Sequence, residues 1–398
     1  MLRMSAQLLK NANLVLSDQV ACGVDLLIEN GKIQALDPAA WGDAEVVDLT
    51  GQWLMPGMID LHCDALEKEI EPRPGVHFPL EFACAQADRR NASAGITTVY
   101  HALSFANQEL GVRNNAFAAE IVRAVNAWQT HALIDNRIHA RYEVTDVTGP
   151  DTLVPLLNEG LLQLISFMDH SPGQGQFRDV EAYRRYLSGT YKMDEHALDQ
   201  LLRQKQSAAD GAMARMQQLA LLAQEQGISI ASHDDDSAEK VATVKHLGAR
   251  ISEFPINLAT AQAARSEGVA TLFGAPNILR GKSQSGNMKA LDAIEAGVAD
   301  CLCGDYSPAA LLPAVMKLPQ VSDLSLPEAV ALVTRNPALA AGLADRGEIV
   351  PGKRADLIAV SLIGNLPQAT HVWSAGVPVL QSHFHCLSEV STEQGIPA

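Results

Sequence analysis

From residue 53 to residue 305 the chain alternates between short apolar runs and longer stretches with helical spacing. The runs are Trp53–His62, Ile96–Ala102, Arg137–Val144, Leu161–Met168, Ile228–His233, Arg250–Phe254, Val269–Phe273 and Ala299–Asp305. Stretches such as Ala116–Gln129 and Ala208–Gln226 place apolar residues at helical intervals between them. Eight strands alternating with helices over about 250 residues predict a (β/α)8 barrel of the TIM type. A doubly wound open sheet is the alternative, weakened because no GxGxxG loop follows an early strand. Ser325-Leu326-Pro327-Glu328 reads as a capping box that opens a late helix.

Both ends read differently. Leu8–Leu16, Val24–Glu29, the turn Asn30-Gly31-Lys32 and Ile33–Leu36 predict a β-meander. Gly347–Val350, Asp356–Val360, His371–Ser374 and Val377–Leu380 look similar. The expectation is a small β-sandwich domain built from residues 1–53 and 346–398, around a barrel over 54–345.

Charge narrows the partners. There are 30 Lys+Arg against 46 Asp+Glu, a formal charge of −16, which argues against nucleic-acid binding. No apolar stretch approaches the roughly 18 residues of a membrane span, and no secretory signal opens the chain. Cys22, Cys63, Cys84, Cys301, Cys303 and Cys386 contain no CxxC pair, which suggests reduced thiols in a cytoplasmic enzyme. Cys63 is read as core, because strand alternation points it away from its neighbours' face.

Those neighbours carry the first chemistry. The first barrel strand ends Asp60-Leu61-His62-Cys63-Asp64, so His62 and Asp64 share a face and make half of a divalent-metal site. Other strand ends add Glu143, Asp169-His170, His233-Asp234-Asp235-Asp236 and Asp305. In a barrel this edge is where the active site lies. His233 and Asp305 each terminate an apolar strand, where an unpaired polar group is costly to bury. Glu143 is either a ligand or a carboxylate paired with Arg141, and His170 either a ligand or a loop histidine. Asp234–Asp236 read as a solvated helix start. A divalent-metal site would make water nucleophilic near neutral pH, and Asp305 beside it could take the proton. Metal-assisted hydrolysis is the reaction class that follows.

The segment after the seventh strand, Gly274 to Asn287, reads as a phosphate-binding loop. Arg280 and Lys282 supply charge, and Ser283, Ser285 and Asn287 supply donors. Lys68 and Arg73 after the first strand, and Arg178 after the fourth, are further candidates for an anionic substrate.

Several segments make the sequence recognisable. Pro56-Gly57-Met58-Ile59-Asp60-Leu61-His62, Asn336-Pro337-Ala338, Asp345-Arg346-Gly347-Glu348-Ile349 and Pro351-Gly352-Lys353-Arg354-Ala355-Asp356-Leu357 resemble the amidohydrolase superfamily. Pro72-Arg73-Pro74, Met168-Asp169-His170-Ser171-Pro172-Gly173-Gln174, Ala231-Ser232-His233-Asp234-Asp235, Gly274-Ala275-Pro276-Asn277 and Ser285-Gly286-Asn287 narrow the likeness. They are similar to the phosphonate-utilisation diphosphatases of the carbon–phosphorus lyase pathway. That resemblance implies hydrolysis of α-D-ribose 1-methylphosphonate 5-triphosphate to the 5-phosphate and pyrophosphate. It also implies one or two divalent metal ions, zinc foremost, with manganese, iron or nickel as alternatives. The ligands it implies are His62, Asp64, a bridging Glu143, His233 and Asp305, with His170 as a candidate sixth; Asp305 and His233 are the catalytic candidates. Homo-oligomers are common among such barrels, and the same is expected by analogy.

Two departures stand out. The sixth strand ends Glu253-Phe254-Pro255, where the superfamily usually has His. The phosphate loop reads Gly281-Lys282-Ser283-Gln284-Ser285-Gly286-Asn287, with Lys282 and Gln284 where Gly and His are expected. The alternatives are an amidohydrolase acting on a cyclic amide or N-acyl group, and a barrel serving as a non-catalytic scaffold.

Overall fold

The structure, a computed structural model, describes residues 6–107, 113–169, 209–283 and 288–384. Strands β1 (Gln7–Val15), β2 (Val20–Glu29), β3 (Lys32–Leu36), β4 (Glu45–Asp48) and β5 (Trp53–Pro56) begin one sheet. Strands β6 (Met58–Cys63), β7 (Ile96–Phe105), β8 (Asp135–Glu143), β9 (Leu164–Met168), β10 (Ser229–His233), β11 (Ile251–Glu253), β12 (Ala270–Gly274) and β13 (Cys301–Cys303) form a second, parallel sheet in chain order. Strands β14 (Leu357–Ile363), β15 (Leu366–Ser374) and β16 (Val377–Gln381) return to the first. The eight apolar runs therefore become the eight strands of a parallel barrel.

The barrel closes between its last and first strands. Asp64 N donates to Asp305 O and Asp305 N to His62 O, both at 2.9 Å. Beneath them the buried Asp60 Oδ1 accepts from Gly304 N at 3.0 Å and His62 N at 3.1 Å. Residue 304 must be glycine here, because a Cβ would stand 2.4 Å from Asp60 Oδ2 and 2.8 Å from Pro308 Cα. Ile59, Leu61, Tyr100, Leu164, Ala231, Ile251, Leu272 and Cys301 fill the interior, while outward residues pack under the helices. Cys63 lies in that outer layer.

The run Trp53–His62 is two strands rather than one. At Gly57 the chain leaves β5, on the terminal sheet, and enters β6, on the barrel. Gly57 N donates to Asp356 O at 2.8 Å, and a Cβ at this position would stand 2.2 Å from Thr97 Oγ1. In the terminal sheet the expected meander forms as β1 to β3, successive antiparallel neighbours, and β1 also pairs in parallel with both β4 and β5. β14 then pairs antiparallel with β5, joining the two chain ends. Trp373 Nε1 donates to Gln7 Oε1 at 2.9 Å, and Gln7 Nε2 to Gly376 O at 2.8 Å, which fixes that junction. Gly347–Val350 forms no strand, contrary to expectation. Gly347 takes a φ of 87° hard against Thr334 O, so this segment packs on the helix Arg335–Ala340.

The capping box forms as read: Ser325 accepts from Glu328 N, and Glu328 reaches back to Ser325 N at 2.8 Å. Among the described residues no helix is long and apolar enough to cross a membrane.

Candidate active site

The C-terminal ends of the barrel strands deliver side chains to one mouth. His62 comes from β6, His139 and Arg141 from β8, His233 from β10, Glu253 from β11, and Asp305 follows β13. Strand alternation puts His139, Arg141 and Glu143 on one face of β8, rising toward the mouth. Asp234, Phe254 and Asp305 each turn out of their strands with φ near +50° (52°, 54° and 53°). That backbone region is costly for side-chain-bearing residues and is often held at functional sites.

The centre is a buried cluster of His62, His139 and Glu253, whose ligand-type atoms lie within 4.8 Å of one another. His62 sits between two carboxylates: Nδ1 is 3.0 Å from Glu253 Oε1, and Nε2 is 3.4 Å from Asp64 Oδ1. Burial works against a charged imidazole, yet Glu253 and Asp64 together lift His62 to about 10. Burial opposes the Glu253 charge too, but His139 and His62 hold it down to about 2. His139 is the opposite case, pushed down to about 3 by burial despite Glu253 beside it.

The tautomer of His139 follows from its partners. Nδ1 lies 3.1 Å from Leu61 O, which can only accept, so Nδ1 carries the proton. Nε2 keeps its lone pair, facing the Ser166 hydroxyl at 2.9 Å and Glu253 Oε1 at 3.6 Å. A neutral imidazole fixed in this way by its far nitrogen is suited to bind metal.

The residues present fit a divalent cation. Glu253 Oε2 is buried with no hydrogen-bond partner among the described residues, a costly state for a carboxylate unless a cation completes it. Two imidazoles and one carboxylate match the three-ligand sets of catalytic zinc, which leave further positions open. The ring of Phe254 stands edge-on to His62 at 5.0 Å and to His233 at 5.3 Å, forming an apolar wall.

Not every residue expected at the metal lies in this cluster. His62 does. His233 is adjacent, its ring 5.6 Å from that of His62, with Nδ1 3.2 Å from Asp234 Oδ2. Burial pushes His233 down, so it is neutral. Asp305 stands at the closure seam, raised to about 6 by burial and by the charge of Asp64. Asp64 is turned toward Arg141, whose Nη1 donates to both its oxygens at 3.0 and 3.2 Å. Although partly desolvated, Asp64 is pushed well below the usual carboxylate range by Arg141 and His62. Glu143 lies outside the cluster and accepts from Thr145 Oγ1 at 2.6 Å. His170 lies outside the described residues, as do Arg178, Ser285 and Asn287.

The sequence does not single out His139, and it marks Glu253 only as a departure from the usual histidine, not as a ligand. Their signal was the alternation His139, Arg141, Glu143 and a glutamate at the sixth strand end. The expected solvated surface at Asp234–Asp236 is instead buried. Asp235 accepts from Ser232 and Ser252 hydroxyls, each at 2.5 Å, and Lys240 Nζ donates to His233 O at 2.9 Å and Asp234 O at 3.2 Å. The left-handed turn at Asp234 folds the acids inward, and Ser237 caps the helix Ala238–His246 in their place.

Cations ring the mouth. The stretch read as an open loop after β12 begins with a short helix, Ala275–Arg280, closed by Gly281 at φ 69°. Arg280 Nη1 donates to Tyr306 OH at 3.2 Å, linking the segments that follow β12 and β13. Lys282 is exposed and Ser283 half-buried beyond it. After β6, separated from β12 by only one strand, Lys68 is exposed on the helix Ala65–Ile70, and Arg73 is exposed in the turn that follows.

Comparison with known proteins gives four matches of different weight. Residues 53–384 match the amidohydrolase family. The α-D-ribose 1-methylphosphonate 5-triphosphate diphosphatase of Escherichia coli (strain K12) is 37% identical over 374 residues, covering 93% of this chain and 99% of the relative. N-acetyl-D-glucosamine-6-phosphate deacetylase from Mycobacterium smegmatis superposes with a TM-score of 0.63 at 16% identity, over 94% of this chain and 100% of that one. Dihydropyrimidinase from Brevibacillus agri gives 0.61 at 14% identity, over 94% and 95%. Likenesses of so low an identity describe the fold alone.

Proposed function

The chain belongs to the amidohydrolase family, and from that premise we propose that it is a metal-dependent hydrolase cleaving α-D-ribose 1-methylphosphonate 5-triphosphate to the 5-phosphate and pyrophosphate. The observation that carries this reading is the 37% identity spanning nearly the whole of this chain and of the diphosphatase.

The site supports it. A divalent cation, zinc foremost, would be held by His62, His139 and Glu253 and would supply the Lewis acidity that activates water near neutral pH. Hydrolysis adds the oxygen of one water to phosphorus, breaks the bridging P–O bond and releases a proton. Asp305 would take that proton: with its carboxyl near 6 it is ionised at neutral pH yet still basic. It can return the proton to the departing pyrophosphate. His233, kept neutral by burial, is available as a further ligand or as a partner for the reacting oxygen. Phe254 narrows the access of bulk water, which strengthens the field of every charge inside.

Arg280 and Lys282 after β12, and Lys68 and Arg73 after β6, would meet the phosphates. Ser283, with Arg178, Ser285 and Asn287 on sequence grounds, completes the proposed anion site. The free thiols of Cys22, Cys63, Cys84, Cys301 and Cys303 suit a reducing cytoplasm.

Zinc-loaded protein given the ribosyl triphosphate and followed by phosphorus NMR should show pyrophosphate and the 5-monophosphate appearing together. No pyrophosphate, with turnover of a cyclic amide instead, would refute this reading.

A further inference from the structure

Arg141 is the one guanidinium buried inside the mouth among the described residues, and its environment does not use it up. The residue is 6% exposed. Both of its hydrogen bonds among the described residues leave from Nη1 to Asp64, while Nε is buried with no partner. A guanidinium carries five N–H donors, so most of this fork is idle. Leaving the desolvated Nε idle is costly, and a lone counterion for Asp64 would not require it. Arg141 also stands two residues beyond His139 on the same face of β8, one layer closer to the opening. Its positive charge is felt by Asp64, His139, His233 and Asp305 alike.

Resting on the reaction proposed above, we propose that Arg141 is a phosphate-binding residue at the base of the mouth. Its Nη1 holds Asp64, and Nε and Nη2 are the donors offered to oxygens of the triphosphate beside the bond that breaks. A planar fork matches two phosphoryl oxygens, and a buried one does so where charge is least screened. The exposed Arg280, Lys282, Lys68 and Arg73 then serve capture, and Arg141 serves placement.

The test uses inorganic pyrophosphate as the probe and titration calorimetry on zinc-loaded protein, with zinc content and melting temperature measured for every variant. Arg141→Gln should weaken pyrophosphate binding by roughly ten- to a hundredfold while zinc content stays at the wild-type level. Arg141→Lys, which keeps a charge for Asp64 but loses the fork, should fall between the two and guards against a Gln variant that fails to fold. Asp64→Asn should bind at least as tightly as wild type, because it releases Arg141, and adding Arg141→Gln to it should remove that binding. If Arg141 is only a counterion, the double variant will bind like Asp64→Asn alone, and the inference is overturned. If wild type releases pyrophosphate from the ribosyl triphosphate and binds it, but Arg141→Gln is unaltered, this inference alone fails. If wild type does neither, the proposed reaction fails and this inference with it.

Discussion

The barrel carries a buried cluster of charges at each end, and the two are organised on opposite principles. At the N-terminal end, Arg346 is 5% exposed and every nitrogen is committed. Nη1 donates to Asp135 at 2.7 Å and Thr98 Oγ1 at 2.9 Å, while Nε and Nη2 grip Asp345 at 2.9 and 3.1 Å. Arg137 adds a bond to Asp135 at 2.9 Å, and Arg354 one to Asp356 at 2.8 Å. Arginines and aspartates alternate there with their charges matched, and the one oxygen without a hydrogen bond among these described residues, Asp356 Oδ2, faces Arg346 Nη1 at 3.8 Å. At the C-terminal end, among the described residues, Glu253 keeps an orphaned oxygen and Arg141 an idle Nε, with no opposite charge facing either. A matched cluster is a clamp, here fastening the barrel to the terminal sheet. A mismatched one is finished only by something from outside.

Glu253→Ala breaks the comparison hardest. It should abolish retention of the divalent metal and with it turnover, yet cost little stability in the metal-free protein, because it removes a carboxylate that is incompletely paired. Metal analysis and urea unfolding of the same preparation check both halves. Asp305→Asn should keep the metal but lower kcat by roughly a hundred- to ten-thousandfold. At the other end, Arg346→Ala should destabilise by about 3–5 kcal/mol, leaving buried aspartates uncompensated, with kcat near wild type at low temperature. Thermal unfolding beside kinetics separates that result from a catalytic one.

The clamp also has a pH signature. Burial opposes the charge of Asp135, but Arg137 and Arg346 prevail and hold its carboxyl below the usual range. A depressed folded value means its stabilisation is complete above about pH 4 and is lost as pH falls through the depressed value. Urea unfolding across about pH 3 to 7 should therefore show a shallower acid limb for Asp135→Asn than for wild type. The smallest effect belongs to the mouth: His62 holds a proton at neutral pH until metal arrives, so zinc uptake should release about one proton. Calorimetry in buffers of different ionisation heat counts it.

Much of this was legible before any coordinates. Eight apolar runs ending in polar residues announce a barrel and the edge that carries its chemistry, and His62, His233 and Asp305 lie near one another there. What could not be read is which strand ends meet. His62 and Glu253 are 191 residues apart, and only closure of the ring brings them to 3.0 Å. His139 lies inside its strand rather than at the end, so a search of strand termini passes over it. Asp64 follows the spacing of a metal ligand, yet it turns to an arginine contributed 77 positions later. Local pattern sets where polar groups emerge; barrel geometry sets their partners.

The pairing of β5 with β14 also sets a timetable. Pro56 lies opposite Leu357, a separation of 301 residues. At roughly 5–20 residues per second, a ribosome delivers the second strand some 15–60 s after the first. Throughout that interval the nascent chain displays the hydrogen-bonding edge of β5 beside the apolar face of β1, an invitation to stray strands. A message cut before codon 357 would yield a polypeptide with every barrel strand made and that edge still open, so its fate should be insolubility rather than mere weakness.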